Sequence, residues 1–170
     1  AARKALQRLM LRLDASPEDH ALLTRIARAT RSELKACRSS SETRSRPALP
    51  PATAIKATNR DLTVIAESGD GDMYGEGGNH FIHAARRNID MTVIMINNFI
   101  YGMTGGQLAP TAPLGSIATT APYGNIEPPF DICNLAKALG ANYVARWTVT
   151  HPYQPIKSVK SALEKKGFSL

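Results

Sequence analysis

The sequence predicts an α/β domain of three layers, a parallel sheet with helices on both faces, preceded by a basic helical segment. Three observations carry this reading. Two apolar runs, Asp61–Ser68 (DLTVIAES) and Met91–Ile96 (MTVIMI), are rich in β-branched residues and hydrophobic nearly throughout, as strands covered on both faces are. Between them lies a glycine-rich loop, residues 69–78 (GDGDMYGEGG). The loop leads into residues 79–88, where Phe81, Ile82, Ala84 and Ala85 recur at helical spacing. Strand, loop, helix and strand in about 37 residues make a βαβ unit, whose crossover is expected to be right-handed.

The remaining elements follow in order. Over residues 1–36, Leu6, Leu9, Met10 and Leu13 recur at intervals of three and four. Ser16-Pro17-Glu18-Asp19 then opens a second helix through Leu22, Leu23, Ile26 and Leu34. Both helices read as solvated surface elements. Early acids (Asp14, Glu18, Asp19) argue against a targeting segment, and the absence of an initiator Met points to an incomplete start. Residues 38–51 are polar, basic and Pro-rich, a linker composition, so residues 1–47 are set apart from a domain over 48–170. Residues 99–128, rich in Gly, Pro and Thr, read as a long binding loop or lid. Pro129–Leu139 reads as a helix stopped by Gly140, Tyr143–Val149 as a strand, and Pro155–Lys166 as a helix closed by Gly167. Phe168–Leu170 opens a strand that the chain does not finish.

Composition excludes several function classes. With 43% apolar and 21% charged residues, the 170-residue chain matches ordinary globular proteins and has room for one sizeable core. No apolar run approaches the ~18 residues of a membrane span, so no membrane partner is expected. The formal charge of +7 is not spread over the chain: residues 1–60 hold 13 Lys/Arg against 5 Asp/Glu, and residues 61–170 hold 8 against 9. Nucleic-acid binding by the larger domain therefore loses its main support. Two cysteines, Cys37 and Cys133, without C-x-x-C spacing make neither a zinc site nor a disulfide framework; Cys133 reads as a buried small hydrophobe, and a reducing, cytoplasmic setting fits.

In open α/β sheets ligands bind beyond the carboxyl ends of the strands. Two polar clusters sit at such ends, Gly69-Asp70-Gly71-Asp72 and Asn97-Asn98-Phe99-Ile100, and between Gly71 and Asn97 lie residues 72–96, 25 positions. One crossover helix of that length brings the second strand beside the first, so Asp70 and Asn98 should converge. A carboxylate, an amide oxygen and a main-chain carbonyl such as that of Ile100 form an all-oxygen set suited to Mg²⁺ or Ca²⁺; Mg²⁺ would take its other ligands from phosphate and water. Gly69 and Gly71 allow the backbone to approach a phosphate, and a helix starting near Gly77-Gly78 would aim N–H groups at it.

Competing motifs fit less well. A calcium loop starting at Asp70 would place Tyr74 and Phe81 at ligand positions and would follow a strand instead of a helix. A dinucleotide fingerprint needs glycine where Tyr74 stands, and no Lys-Ser/Thr follows any glycine cluster. His80 and His83 share a helix face but lack a third ligand. Glu76 reads as a solvated first-turn carboxylate.

Gly69-Asp70-Gly71, 25 residues and Asn97-Asn98 together resemble the thiamine-diphosphate and Mg²⁺ signature. The surrounding text, GDGDMYGEGGNHFIHAARRNIDMTVIMINNFIYGMTGGQLAPTAPLG followed by PYGNIEPPFD, is similar to the β subunit of 2-oxoacid:ferredoxin oxidoreductases, nearest to the 2-oxoglutarate type. The resemblance covers roughly Ala48 to Leu170. It implies that Asp70, Asn98 and the Ile100 carbonyl hold Mg²⁺, that Gly69, Gly71 and Asp72 lie at the diphosphate, and that Gly102-Met103-Thr104 complete its cradle. It further implies oxidative decarboxylation of a 2-oxoacid, with the acyl group passing to coenzyme A and electrons leaving through a [4Fe-4S] cluster to ferredoxin. An α subunit is the implied partner. The family's four cluster cysteines have no counterpart in Cys37 and Cys133, so the isolated chain is expected to be inactive. Two alternatives stand beside this reading: a thiamine-dependent non-oxidative decarboxylase or synthase, which shares the GDG and NN elements, and an inactive truncated relic.

Overall fold

The computed structural model describes residues 47–151 and 153–170; the two helices and most of the linker expected over residues 1–46 lie outside them. One compact unit spans Ser45–Arg146 and Lys157–Leu170 and carries the sheet. Within the separate stretch Trp147–Ile156, the hydroxyls of Thr148 and Thr150 gather on His151 Nδ1 at 2.9 and 3.3 Å.

The first element, α1 (Leu49–Thr58), begins inside the text that reads as linker. Pro50 and Pro51 occupy its first turn, where a missing N–H costs nothing, and Leu49 and Ala52 are buried against the core. Strand β1 (Ile65–Gly69) pairs in parallel with β2 (Met91–Ile96), which pairs in parallel with β5 (Phe168–Ser169), giving the order β1-β2-β5. Paired residues in a parallel ladder point the same way. Thus Ala66, Val93, Met91 and Phe168 share one face, where Phe168 meets Phe81 of helix α2 (Gly78–Arg86) edge to face at 5.6 Å. Ser169 lies on the other face and donates its hydroxyl to the Ala162 carbonyl of helix α4 (Tyr153–Glu164) at 3.3 Å. Helices on both faces of a parallel sheet are the three layers expected.

Several elements differ from the expectation. The glycine-rich segment 69–78 is no open loop: Gly71–Glu76 forms a π-helical turn, closed by a 2.7 Å bond from Gly77 N–H to the Asp72 carbonyl. The helical turns therefore start directly after Asp70, ahead of the expected start near Gly77-Gly78. Such wide turns are rare and cluster at functional sites. Residues 99–128 contain a small antiparallel ribbon, β3 (Ile100–Tyr101) with β4 (Gln107–Leu108). The rest of that segment has its own staple, Asn125, whose amide donates to the carbonyls of Ala112 and Glu127 at 3.0 Å each. Helix α3 (Ile132–Ala138) begins later than Pro129 because Asp131 caps it, accepting from Asn134 N–H at 3.2 Å. It ends as expected at Gly140, whose φ of +85° is open to glycine and strained for other residues.

The strand expected over Tyr143–Val149 shrinks to a single parallel bridge, Tyr143 to Ser169. Bonds from Asn142 N–H to Phe168 O, Leu170 N–H to Tyr143 O and Ala145 N–H to Leu170 O hold residues 142–145 beside the chain end, and residues 146–149 form no strand. Helix α4 starts and ends two residues before the expected 155–166. Cys133, expected in the core, is half-buried, and its sulfur accepts from Arg146 Nε at 3.3 Å.

Candidate functional site

The β1–β2 register sets Gly69 opposite Ile96, so the chain leaves both strands at one edge of the sheet and delivers Asp70 beside Asn97-Asn98. Asp70 is 1% exposed. A carboxylate so buried needs donors or a cation. Its Oδ1 accepts from Asn98 N–H at 3.4 Å and its Oδ2 from Phe99 N–H at 3.0 Å. The hydroxyl of Thr111 closes on Oδ2 as well and lies 2.9 Å from Asn97 Oδ1. Having one hydrogen, the hydroxyl gives it to the charged acceptor. Phe99 adopts a φ of +68°, uncommon for a bulky residue, and this bend turns two successive N–H groups toward Asp70.

Asn98 folds its side-chain oxygen over Ile100 N–H at 3.3 Å, which brings that oxygen and the Ile100 peptide to the Asp70 edge. Gly102 sits against Asn98, where an added Cβ would be 3.4 Å from Nδ2. Asp72 turns its carboxylate back onto the Ser68 hydroxyl. Thr104 donates to Gln107 Oε1 at 2.7 Å, and Gln107 returns a bond to the Thr104 carbonyl at 3.0 Å. Met103 is fully exposed on the same turn. Gly71 and Gly75 lie beneath the ring of Tyr101. The site thus unites Gly69, Asp70, Gly71, Asp72, Asn98 and Ile100 at one sheet edge, with Gly102, Met103 and Thr104 on the adjoining ribbon turn.

Burial, then the charges of Glu76, Asp70 and Asp72, push the Tyr101 phenol up from its ordinary range. Glu76 itself is exposed. The donors are hard oxygens, and Asp70 Oδ1, held only by one long bond, is the carboxylate atom with capacity to spare; such a set fits a divalent cation such as Mg²⁺. Among the described residues no three His, Cys, Asp or Glu gather into a metal-ligating group, and His80 and His83 are both exposed. Sequence reasoning missed Thr111 and Tyr101. Thr111 sits in aperiodic text 41 residues from Asp70 and carries no motif.

A second polar region lies at the opposite, amino ends of the strands. Lys56, Arg60, Asp90, Lys165 and Lys166 line a cleft there, with Lys56 Nζ 2.9 Å from Asp90 Oδ2. Gly167 N–H also donates to Asp90, at 2.9 Å. Burial works to raise the Asp90 carboxyl, but these two bonds and the charges of Lys56 and Lys166 outweigh it and hold the group below the usual carboxylate range. No helix among the described residues is long and apolar enough to cross a membrane.

Comparison with known proteins supplies the context for this geometry. Residues 47–170 match the family described as thiamine pyrophosphate enzyme, C-terminal TPP binding domain. The chain is 50% identical over 158 residues to the 2-oxoglutarate synthase subunit KorB of Methanocaldococcus jannaschii, covering 92% of this chain and 58% of that protein. An alignment of that length cannot fit within residues 47–170, so the similarity reaches further upstream than the Ala48 start read from the sequence. It is 55% identical over 123 residues to the subunit of the same name in Archaeoglobus fulgidus, covering 72% of this chain and 46% of that one. Among solved structures, a 2-oxoglutarate:ferredoxin oxidoreductase from Magnetococcus marinus, with 2-oxoglutarate, coenzyme A and succinyl-CoA bound, superposes with a TM-score of 0.68 at 38% identity, over 71% of this chain and 41% of that one. The thiamine diphosphate-dependent 4-hydroxybenzoylformate decarboxylase of Rhodococcus jostii, at 22% identity and a TM-score of 0.50 over 72% of this chain and 21% of that one, shares the fold alone. The chain spans 41 to 58% of the length of these two KorB relatives and of another that it matches. With 124 consecutive residues matched, a three-layer parallel sheet and a carboxylate and an amide meeting at its carboxyl edge, the chain belongs to the thiamine pyrophosphate enzymes, through their C-terminal TPP-binding domain.

Proposed function

We propose that this chain is the thiamine-diphosphate-binding part of the β subunit of a 2-oxoacid:ferredoxin oxidoreductase of the 2-oxoglutarate type. The observation that carries the reading is the meeting of Asp70 with the Asn98–Ile100 turn, residues 28 and 29 positions apart joined by N–H bonds of 3.4 and 3.0 Å. Asp70 Oδ1, the Asn98 side-chain oxygen and the Ile100 carbonyl would hold Mg²⁺, which would supply positive charge against the diphosphate. Gly69, Gly71 and the Asp72 peptide would border the diphosphate, with the Gly102-Met103-Thr104 turn closing the far side. The cofactor supplies the carbanion chemistry of decarboxylation when bound. Thr111 and the amides of Asn98 and Phe99 fix the Asp70 carboxylate so that a cation meets it in one orientation.

An α subunit, ferredoxin as electron acceptor, coenzyme A as acyl acceptor and a [4Fe-4S] cluster belong to the same proposal, as does a cytoplasmic location. Their support is the 50 to 56% identity to subunits named for 2-oxoglutarate synthesis and the ligands bound in the Magnetococcus enzyme. The Rhodococcus decarboxylase, at 22% identity, shares the fold alone and does not favour the non-oxidative reading.

Calorimetric titration with thiamine diphosphate tests the site. The chain should bind in Mg²⁺ and not in its absence, because two phosphate oxygens facing a carboxylate repel it unless a cation intervenes. Asp70→Ala should abolish the heat; binding by that variant as tight as the parent's overturns the site. For the activity, the assembled enzyme should reduce a viologen dye faster with 2-oxoglutarate than with pyruvate, and the reverse order overturns the substrate assignment.

A further inference from the structure

Tyr101 belongs to neither the oxygen set nor the glycine turn, yet its backbone continues the one and its ring touches the other. It follows Ile100 on β3 and is held there by the β4 pairing and by Gly106 N–H, which donates to its carbonyl at 2.9 Å. From that anchor the ring lies flat across the π-helical turn. A Cβ built on Gly71 would be 2.7 Å from ring atom Cε1 and 2.8 Å from Cδ1; one built on Gly75 would overlap the phenol oxygen and lie 2.9 Å from Cζ. Real Cβ atoms do not approach so closely, so the ring occupies the space that side chains at both positions would need. Gly71 and Gly75 are four residues apart, on adjacent turns of the coil, and the ring bridges them.

Resting on the cofactor reading above, we propose that Tyr101 is a positioning residue: its ring clamps the Gly71–Gly75 turn, which borders the diphosphate, to the Asn98–Ile100 turn, which holds the metal, and so sets the spacing between the two halves of the site. The two turns come from different strands. Direct bonds from Asp70 fix the metal side only. At the second turn of the coil the ring reaches Gly75, where Pro110 Cδ also lies 3.7 Å from the Cβ position. On this account the second glycine is demanded by the tyrosine and not by the cofactor.

The test is a cycle of four full-length proteins, parent, Gly75→Ala, Tyr101→Ala and the double variant, with Tyr101→Phe as the conservative control. Each is titrated with thiamine diphosphate in Mg²⁺, and each is melted without ligand. Gly75→Ala should bind about tenfold more weakly, the low end of what an overpacked methyl costs. Tyr101→Ala should bind about tenfold more weakly also, while Tyr101→Phe, which keeps the ring, stays within about twofold of the parent. The double variant should bind no worse than Tyr101→Ala, because removing the ring removes the clash. Additive losses in the double variant, or parent-like affinity in Tyr101→Ala, would overturn the clamp. Failure of the parent itself to bind would instead overturn the cofactor reading. The ligand-free melting temperatures then decide the clamp alone: coupling between positions 75 and 101 supports it, and additivity sinks it.

Discussion

Thr111 donates its hydroxyl to the buried carboxylate of Asp70 across 41 residues of chain, and among the described residues no other side chain donates to that carboxylate. Replacing it with valine keeps the shape and removes the hydrogen. We expect Thr111→Val to cost about 1.5–3 kcal/mol of folding stability, the range for hydrogen bonds to charged groups, with Thr111→Ser recovering most of it. Urea denaturation midpoints of the three proteins measure this. Equal stability of Val and Thr at this position would show that the backbone amides suffice.

Asp90 ties α1 to the loop before β5 through Lys56 and the Gly167 amide. Its carboxyl is held below the usual range, so the folded state binds its proton less readily than the unfolded chain does. The stabilisation is therefore complete above the ordinary carboxylate pKa and is lost as pH falls through and below it. Asp90→Asn should flatten this part of the stability curve between about pH 6 and 3 while leaving it less stable than the parent at neutrality. Unchanged pH dependence would exclude Asp90 as a contributor.

Phe81 joins the two aromatic neighbours of the core, Tyr74 at 4.9 Å and Phe168 at 5.6 Å, and is wholly buried. Phe81→Ala should cost about 3–5 kcal/mol, the transfer term plus a cavity between α2 and the sheet. Phe81→Leu should cost visibly less. Thermal melts rank the two, and an Ala variant within about 1 kcal/mol of the parent would mean that the layers collapse freely.

The 170-residue polypeptide carries two cysteines, whereas a [4Fe-4S] cluster takes four thiolates. Purified alone, it should bind cofactor without reducing a viologen dye from 2-oxoglutarate and coenzyme A. Dye reduction by the lone polypeptide, or cluster absorbance that survives loss of Cys37 and Cys133, contradicts the expectation.

The βαβ unit was legible because its signals are periodic. MTVIMI is apolar on both faces, and Phe81, Ala84 and Ala85 mark one side of a helix that the structure buries. From that unit alone, the juxtaposition of Asp70 with Asn98 followed. What escaped notice depended on non-periodic contacts. Pro50 and Pro51 read as linker, though they open α1. The π-helical turn rests on glycines that accommodate a tyrosine about 30 residues downstream, a relation no local pattern encodes. The expected 143–149 strand came down to the Tyr143–Ser169 bridge, since strand propensity yields to the tertiary setting. Cys133 departed from the usual burial of free thiols because Arg146, remote in sequence, reaches its sulfur.

Phe99 carries a consequence of its own. A phenylalanine at positive φ is an uncomfortable residue, and the discomfort is met once, when the chain folds. In return two amides and a hydroxyl of the protein itself surround the Asp70 carboxylate. The site is therefore preorganised: a metal entering it has no loop to gather and no carboxylate to reorient, and the backbone at Asn98–Ile100 should superpose in ligand-free and loaded crystals. Relaxing that bend with Phe99→Gly would make the fold locally easier and the arrival of the metal harder, because the entropy of arranging the donors would move from folding to binding.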